Sequence, residues 1–271
     1  MSIVNGEVTS LAFCWRLERR DGVCLGFTTH DRDLTIGELV YRAAPGMLPS
    51  AIALSDGFDP DTLDVSGALT SAAITAEDLA AGRWDGAALA ILAVDWEAPG
   101  GERMLLARGE LGEVSVTGSG FSAELRGPTA LLERPVVEQT SPECRAQLGD
   151  KRCRVDMAAR VRVTRVVAVA DEDELVVASA AAGNAYGYGR LRWLSGPNSG
   201  LESAVLMSDG TRLTLREPPH FPAAAGDLVE IHEGCDKQPA TCSSRFGNLP
   251  NFRGEPHLPG MDLLTRYPGA S

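Results

Sequence analysis

The sequence contains no apolar run that approaches the roughly 18 residues needed to cross a bilayer. Its first twenty residues also lack a basic segment followed by an apolar one, so nothing there indicates a secretory signal peptide. We therefore expect a protein that is not inserted in a membrane. We also expect it to fold in a reducing cytosol, where structural disulfides are rare.

Positive charge is scarce, because 25 Lys and Arg stand against 37 Asp and Glu, and the formal net charge is −12. Non-specific binding to nucleic acid depends on Lys and Arg at the phosphates. An acidic balance spread over the whole chain therefore argues against a protein that wraps DNA. It remains compatible with local basic surfaces, and several basic residues lie near the late cysteines.

Motifs of common enzyme classes are also missing. The sequence has no G-x-S-x-G element, no P-loop and no dinucleotide-binding glycine motif, and its four histidines lack the i, i+4 spacing of a helical metal site. His30, beside Asp31 and Asp33, resembles a reactive group, but it follows a predicted strand, where such residues routinely form turn hydrogen bonds. The sequence thus predicts no catalytic site.

Abundant turn residues, 29 Gly and 16 Pro, predict a mainly β protein with short strands and few short helices. Asp21-Gly22 separates two alternating runs and predicts a hairpin, and residues 88–96 predict a further strand. One helix is expected after Thr75 as N-cap, with Asp78 three residues on. A second is expected over residues 128–135, between two prolines.

The alternating pattern stops around residues 135–142, which predicts two β-rich domains, residues 1–136 and 137–271. In the second, short strand-like runs recur about every dozen residues, a rhythm typical of a small closed β-barrel. The last thirty residues are rich in Pro and Gly without any period. We expect them to form an extended C-terminal arm.

Six cysteines fall into two groups. Cys14 and Cys24 are flanked by large apolar residues and are predicted to be small hydrophobic strand residues. The other four lie in polar, turn-rich, basic segments and form two distant pairs with eight and six intervening residues: Cys144, Cys153, Cys235 and Cys242. Thiolates gathered from two distant loops suit one soft metal centre. Two disulfides are the alternative, which the expected compartment disfavours.

The four cysteines indicate a soft metal more clearly than they indicate which metal it is. Zinc knuckles usually have two to four residues between ligands, and the wider gaps here favour a 4Fe–4S cluster, with zinc as the alternative. Four thiolates on such a cluster leave a negative charge, which nearby cations would offset. The expected cations are Lys151, Arg152, Arg154, Lys237 and Arg245.

These patterns resemble a known group of phage proteins. The C-x8-C pair followed by a distant C-x6-C pair is similar to the C-terminal domain of the tail-tip protein L of lambda-like phages. Longer strings, including CWRLERRDGVCLGFTTHDRDL, CRAQLGDKRCRVDM and GCDKQPATCSSRFGNLPNFRG, resemble the hub proteins of gene transfer agents and related prophages of alphaproteobacteria. The resemblance extends over most of residues 10–263.

The resemblance implies a non-enzymatic, β-rich baseplate or tail-tip hub of a phage-like virion, assembled in the bacterial cytoplasm. Such hubs usually form a trimeric ring, join a distal tail protein to the central tip or fibre protein, and form part of the conduit for DNA. The family's cluster ligands correspond to Cys144, Cys153, Cys235 and Cys242. Two other hypotheses remain open from the residues: an iron–sulfur redox enzyme, and a zinc-stapled protein-binding module.

Overall fold

The structure is a computed structural model that describes residues 10–43, 48–49, 62–68, 74–117, 120–127 and 137–257. The chain divides into two compact units, Met1–Val136 and Val137–Ser271. The helix expected over residues 128–135 lies outside the described residues, as do residues 258–271 of the expected arm.

The described strands of the first unit form a nine-stranded sheet in the order β3-β4-β2-β1-β7-β8-β9-β6-β5. Most pairs are antiparallel, and β2 pairs with β4 in parallel. The strands are β1 (Leu11–Glu18), β2 (Cys24–Thr28), β3 (Leu34–Ile36), β4 (Leu39–Ala43), β5 (Leu48–Pro49), β6 (Thr62–Ala68), β7 (Ala88–Asp95), β8 (Arg103–Thr117) and β9 (Gly120–Arg126).

The first unit confirms the local predictions that its described residues can test. β1 and β2 form the hairpin that turns at Asp21-Gly22. Helix α1 (Ala76–Ala80) begins after Thr75, whose hydroxyl accepts a hydrogen bond from the Asp78 N–H at 3.0 Å. This bond satisfies one of the amides that a helix N-terminus leaves without a partner.

One face of the sheet is covered by α1 and the segment that follows it. Trp15, Leu17 and Ile91 on the strands pack with Leu79 and Trp84 from this segment, and each of the five is at most 7% exposed. Burying side chains of this size contributes about 1.5–3 kcal/mol each. A second buried cluster includes Ala12 and Cys14 of β1 and Val94 of β7, so these two central strands are apolar at most positions.

The second unit contains a closed barrel in the order β10-β11-β14-β13-β12-β15 among its described strands, as its sequence rhythm predicted. β10 pairs with β15 through its first half and with β11 through its second, so this long strand helps to close the barrel. The strands are β10 (Val161–Asp171), β11 (Glu174–Val177), β12 (Arg190–Trp193), β13 (Glu202–Asp209), β14 (Arg212–Leu215) and β15 (Leu228–His232).

The barrel interior is filled by apolar side chains from all six strands. Trp193 is 1% exposed, and its indole N–H donates to the Ser203 hydroxyl at 3.0 Å, so its polar atom is satisfied. Leu175, Leu213 and Ile231 around it are fully buried. An interior filled in this way is a packed core, which leaves the loops at its ends to carry a site.

The segment after β15 contains two short helical elements that the sequence did not predict. Helix α2 (Pro239–Ser244) and a short 3-10 helix (Leu249–Asn251) lie within it. The chain then returns to the start of the unit, where Arg145 N–H donates to the Arg253 carbonyl at 3.0 Å and Glu255 N–H to the Ser141 carbonyl at 2.7 Å. Through residue 257, the expected arm is therefore folded against its own unit.

Candidate metal centre

All six cysteines lie in described residues and are free thiols. Cys14 is fully buried in β1 opposite Thr28, and Cys24 pairs with Glu18, so these two cysteines do not face each other. Both are strand residues, as predicted.

The other four cysteines lie around one cavity in the second unit. Cys144 and Cys153 come from the loop before the barrel, Cys235 follows β15, and Cys242 lies on α2. The cavity measures about 320 Å³ including its opening to solvent, and its wall also includes apolar side chains such as Phe246 and Phe252. Two pairs that are far apart in sequence are therefore adjacent in space.

The first cysteine loop, residues 144–153, is shaped by Asp150. Its carboxylate accepts backbone N–H groups from Gln147 at 2.9 Å, Arg152 at 2.8 Å and Cys153 at 2.6 Å. An aspartate that accepts from nearby amides stabilises a tight turn without secondary structure. This explains why the polar stretch between the two cysteines is ordered.

Asp236 plays the same role in the second cysteine loop, residues 235–242. Its carboxylate accepts the Gln238 N–H at 3.0 Å and the Thr241 hydroxyl at 2.7 Å. These bonds hold the first turn of α2, whose N-cap residue Gln238 makes no capping bond with its own side chain. The turn places Cys242 on the buried side of the helix.

The second cysteine loop is also anchored to the barrel end. Gly234 packs so closely that an added Cβ would lie 2.0 Å from the Gly187 carbonyl oxygen and 2.2 Å from the Gly189 amide nitrogen. Only glycine permits this approach. Arg245, just after α2, donates to the carbonyls of Gly234 and Ala185 and to the Glu233 carboxylate.

The segment after α2 supplies further contacts, which the sequence did not predict. The Asn248 side-chain amide donates to the Cys153 carbonyl at 2.6 Å and lies 3.7 Å from the Cys153 sulfur. Its backbone N–H donates to the Cys242 carbonyl at 3.0 Å. The Arg253 N–H lies 3.3 Å from the Cys144 sulfur. Single Asn and Arg residues give no periodic signal that would have revealed these contacts.

The electrostatics of the thiols show how close they are. Burial raises the pKa of the Cys242 thiol, and the three other thiolates around the cavity raise it further. Burial also raises the pKa of Cys235, while the backbone and side chain of Lys237 lower it in part. The thiols of Cys235 and Cys242 therefore resist ionising unless a cation compensates their charge.

The donor set fits a soft metal, because all four side chains are thiols and no carboxylate or imidazole lines the same cavity. As placed, however, no group of three or more His, Cys, Asp or Glu side chains among the described residues is arranged to hold a metal ion. The thiols thus share a cavity without converging on a single point.

Of the five cations expected to offset a cluster's charge, only Lys237 lines the cavity. Arg152 instead pairs with Glu138, and Arg245 with Glu233. In the first unit, the His30 ring stacks on Trp96 with centroids 5.0 Å apart, and its Nδ1 accepts the Arg32 N–H at 3.1 Å. These contacts match the expected structural role of His30.

Comparison with known proteins decides the family. Residues 1–156 match the family model described as baseplate hub protein, N-terminal attachment domain. The chain belongs to this baseplate hub family. Residues 184–262 of this hub protein match a second model, described as phage conserved hypothetical protein BR0599. The sequence has no match among curated proteins.

A solved structure supports the assignment over the whole chain. The hub protein is similar to a chain in the structure titled "Virion of native gene transfer agent (GTA) particle", at 39% identity and a TM-score of 0.84. The match covers 99% of this chain and 95% of that one. The protein is therefore a structural tail-tip or baseplate hub protein and a virion component. None of its described helices is long and apolar enough to cross a membrane.

Proposed function

We propose that Cys144, Cys153, Cys235 and Cys242 hold a 4Fe–4S cluster that fastens the second unit of the hub, with zinc as the alternative metal. The observation that carries this proposal is the single cavity lined by all four thiols. A four-iron cluster is wider than a single ion, so its ligands stand around a volume.

The proposed role of the centre is mechanical. A bound cluster would supply four metal–sulfur links between the loop before the barrel, the loop after it and α2. Because the unfolded chain has no preformed site, the binding free energy of a structural metal becomes folding free energy. With four cysteine ligands the irons have no open position, so we propose no catalytic activity.

The assembly role extends the hub assignment. We infer that copies of the chain form a trimeric ring, which joins a distal tail protein to the central tip or fibre protein and encloses part of the DNA conduit. The formal charge of −12 supports a surface that DNA passes without sequence-specific binding.

Metal analysis of the full chain tests the cofactor. Protein purified without oxygen is expected to contain iron and acid-labile sulfide in equal amounts and to show visible absorbance that reduction bleaches. Replacing Cys235 with serine should abolish both signals. Stoichiometric zinc without sulfide would identify the alternative metal, whereas protein without either metal would refute the metal centre.

Particle production tests the mechanical role. Cys235→Ser is expected to leave the first unit folded but to stop assembly of functional tail tips. Cys24→Ser is the matched control, because Cys24 is a partly exposed thiol of the first unit that lies outside the cavity. Electron microscopy and transfer assays should then show normal particles for the control alone. Normal yields from Cys235→Ser would rule out a structural need for the cluster.

A further inference from the structure

Lys237 contacts both cysteine loops. Its backbone carbonyl accepts the Cys144 N–H at 3.0 Å, and Lys237 itself follows Cys235 by two residues in the second cysteine loop. Its ammonium donates to the Ala146 carbonyl at 2.5 Å and lies 3.4 Å from the Gln147 side-chain oxygen. One residue of the second cysteine loop thus bonds to Cys144 and to the turn between Cys144 and Cys153.

The backbone of Lys237 is in the left-handed region, with φ at +63°. Among the described residues, only Arg154 and Tyr188 share this property without being glycine. A long side chain is unfavourable there, and such strain persists only when surrounding contacts impose it. In this conformation the Lys237 carbonyl accepts the Cys144 N–H, so the strained residue is one that joins the two loops.

The charge of Lys237 has no carboxylate partner within ion-pairing distance in the described part of the chain. Its hydrogen-bond acceptors are two neutral oxygens, while Arg152 and Arg245 are held by carboxylates. Lys237 is also the cation that lines the cysteine cavity. No carboxylate of the described residues therefore neutralises this positive charge beside the cavity.

We propose that Lys237 is a positioning residue that clasps the two cysteine loops together before any metal binds and then places its charge against the sulfur ligands. The second half of this inference rests on the proposed metal centre, and the first half does not. The two halves consequently predict different measurements on the same variants.

The chain offers a matched control, because Lys237 and Lys151 are its only lysines. Lys151 lies between Cys144 and Cys153 in sequence, is exposed, and does not line the cavity. Lys237→Met and Lys151→Met remove the same charge and retain a similar chain length. Lys237→Arg keeps the charge and serves as the conservative variant.

The first measurement is amide hydrogen exchange of the metal-free full chain over residues 144–150. Losing a charged hydrogen bond that links two loops is expected to speed exchange about tenfold in Lys237→Met. Lys151→Met should exchange at the wild-type rate. Unchanged exchange in Lys237→Met would overturn the clasp, whichever metal the protein binds.

The second measurement uses protein reconstituted with ferrous iron and sulfide. Reduction adds negative charge to the cluster, so the reduced form should be less stable once the lysine cation is removed. We expect the equilibrium constant for one-electron reduction to fall about tenfold, which lowers the midpoint potential by about 59 mV. Lys237→Arg should restore most of the midpoint, and Lys151→Met should shift it much less. Equal midpoints in Lys237→Met and wild type would refute the charge role.

The outcomes also separate this inference from the proposed function. Wild-type protein could take up no iron, sulfide or zinc while the amides of residues 144–150 still exchange faster in Lys237→Met. That result would refute the metal centre and support the proposal that Lys237 joins the two loops. If the wild type forms a cluster and Lys237→Met retains both protection and midpoint, the metal centre stands and the inference fails.

Discussion

Replacing Arg245 with methionine should loosen the connection between α2 and the barrel. The guanidinium donates to the Glu233 carboxylate at 2.7 Å and to the carbonyls of Ala185 at 2.7 Å and Gly234 at 3.1 Å. It also lies 4.8 Å from the centre of the Phe246 ring, which lines the cysteine cavity. The variant keeps most of the apolar stem and removes all three donated bonds.

The expected loss of unfolding free energy follows from how deeply the Arg245–Glu233 pair is buried. The Glu233 side chain is 11% exposed and that of Arg245 is 29%, so solvent screens the pair only in part. Breaking a buried charged pair costs about 3–5 kcal/mol. Glu233 keeps its bond to Arg160 at 2.7 Å, so its charge is not left alone. We therefore expect the lower end, a loss of about 3 kcal/mol in the unfolding free energy of the second unit.

Urea unfolding measured at the barrel strands checks this value, because pulse labelling of individual peptides reports the second unit separately. With an m-value of about 2 kcal/mol/M, the midpoint should fall by about 1.5 M. Arg212→Met is the control, since Arg212 pairs with Glu174 on the surface and is 56% exposed. Its loss should cost at most about 0.5 kcal/mol. Equal midpoints for the two variants would refute the assigned role of Arg245.

Two further predictions concern the same unit. Gly234→Ala should prevent cysteine-loop docking, because the new Cβ would meet the Gly187 carbonyl at 2.0 Å; limited proteolysis should cleave this variant after β15, and wild-type resistance would contradict it. The Arg145 guanidinium lowers the pKa of Glu255 to about 2, below its unfolded value of about 4.3. The bond therefore stabilises the metal-free protein above about pH 4.3, and this contribution is lost as pH falls toward 2. In Glu255→Gln, the thermal midpoint should depend less on pH across that window; parallel profiles would argue against the pair.

Local sequence signals predicted the elements whose causes are local. The Asp21-Gly22 hairpin and the Thr75 cap depend on a few adjacent residues, and both are present. The strand rhythm after residue 160 similarly predicted the closed barrel. The partners of the returning C-terminal segment were not predicted, because it bonds to residues more than a hundred positions away.

The candidate centre shows the same division. Residue type and spacing selected the four cysteines, and long matching strings indicated the hub family that the comparisons then established. The neighbours of the cysteines were predicted less well. Five cations were expected near the sulfurs, yet Lys237 alone lines the cavity, and Asn248 was not anticipated.

The sequence by itself thus determined the four candidate cysteines, the β character and the family, because each depends on residue types and short-range order. Only the tertiary structure decided which atoms surround the thiols. Those contacts arise where the loop before the barrel, the loop after it and the returning segment meet. Their geometry depends on barrel closure and on the close backbone packing at Gly234, which no local pattern encodes.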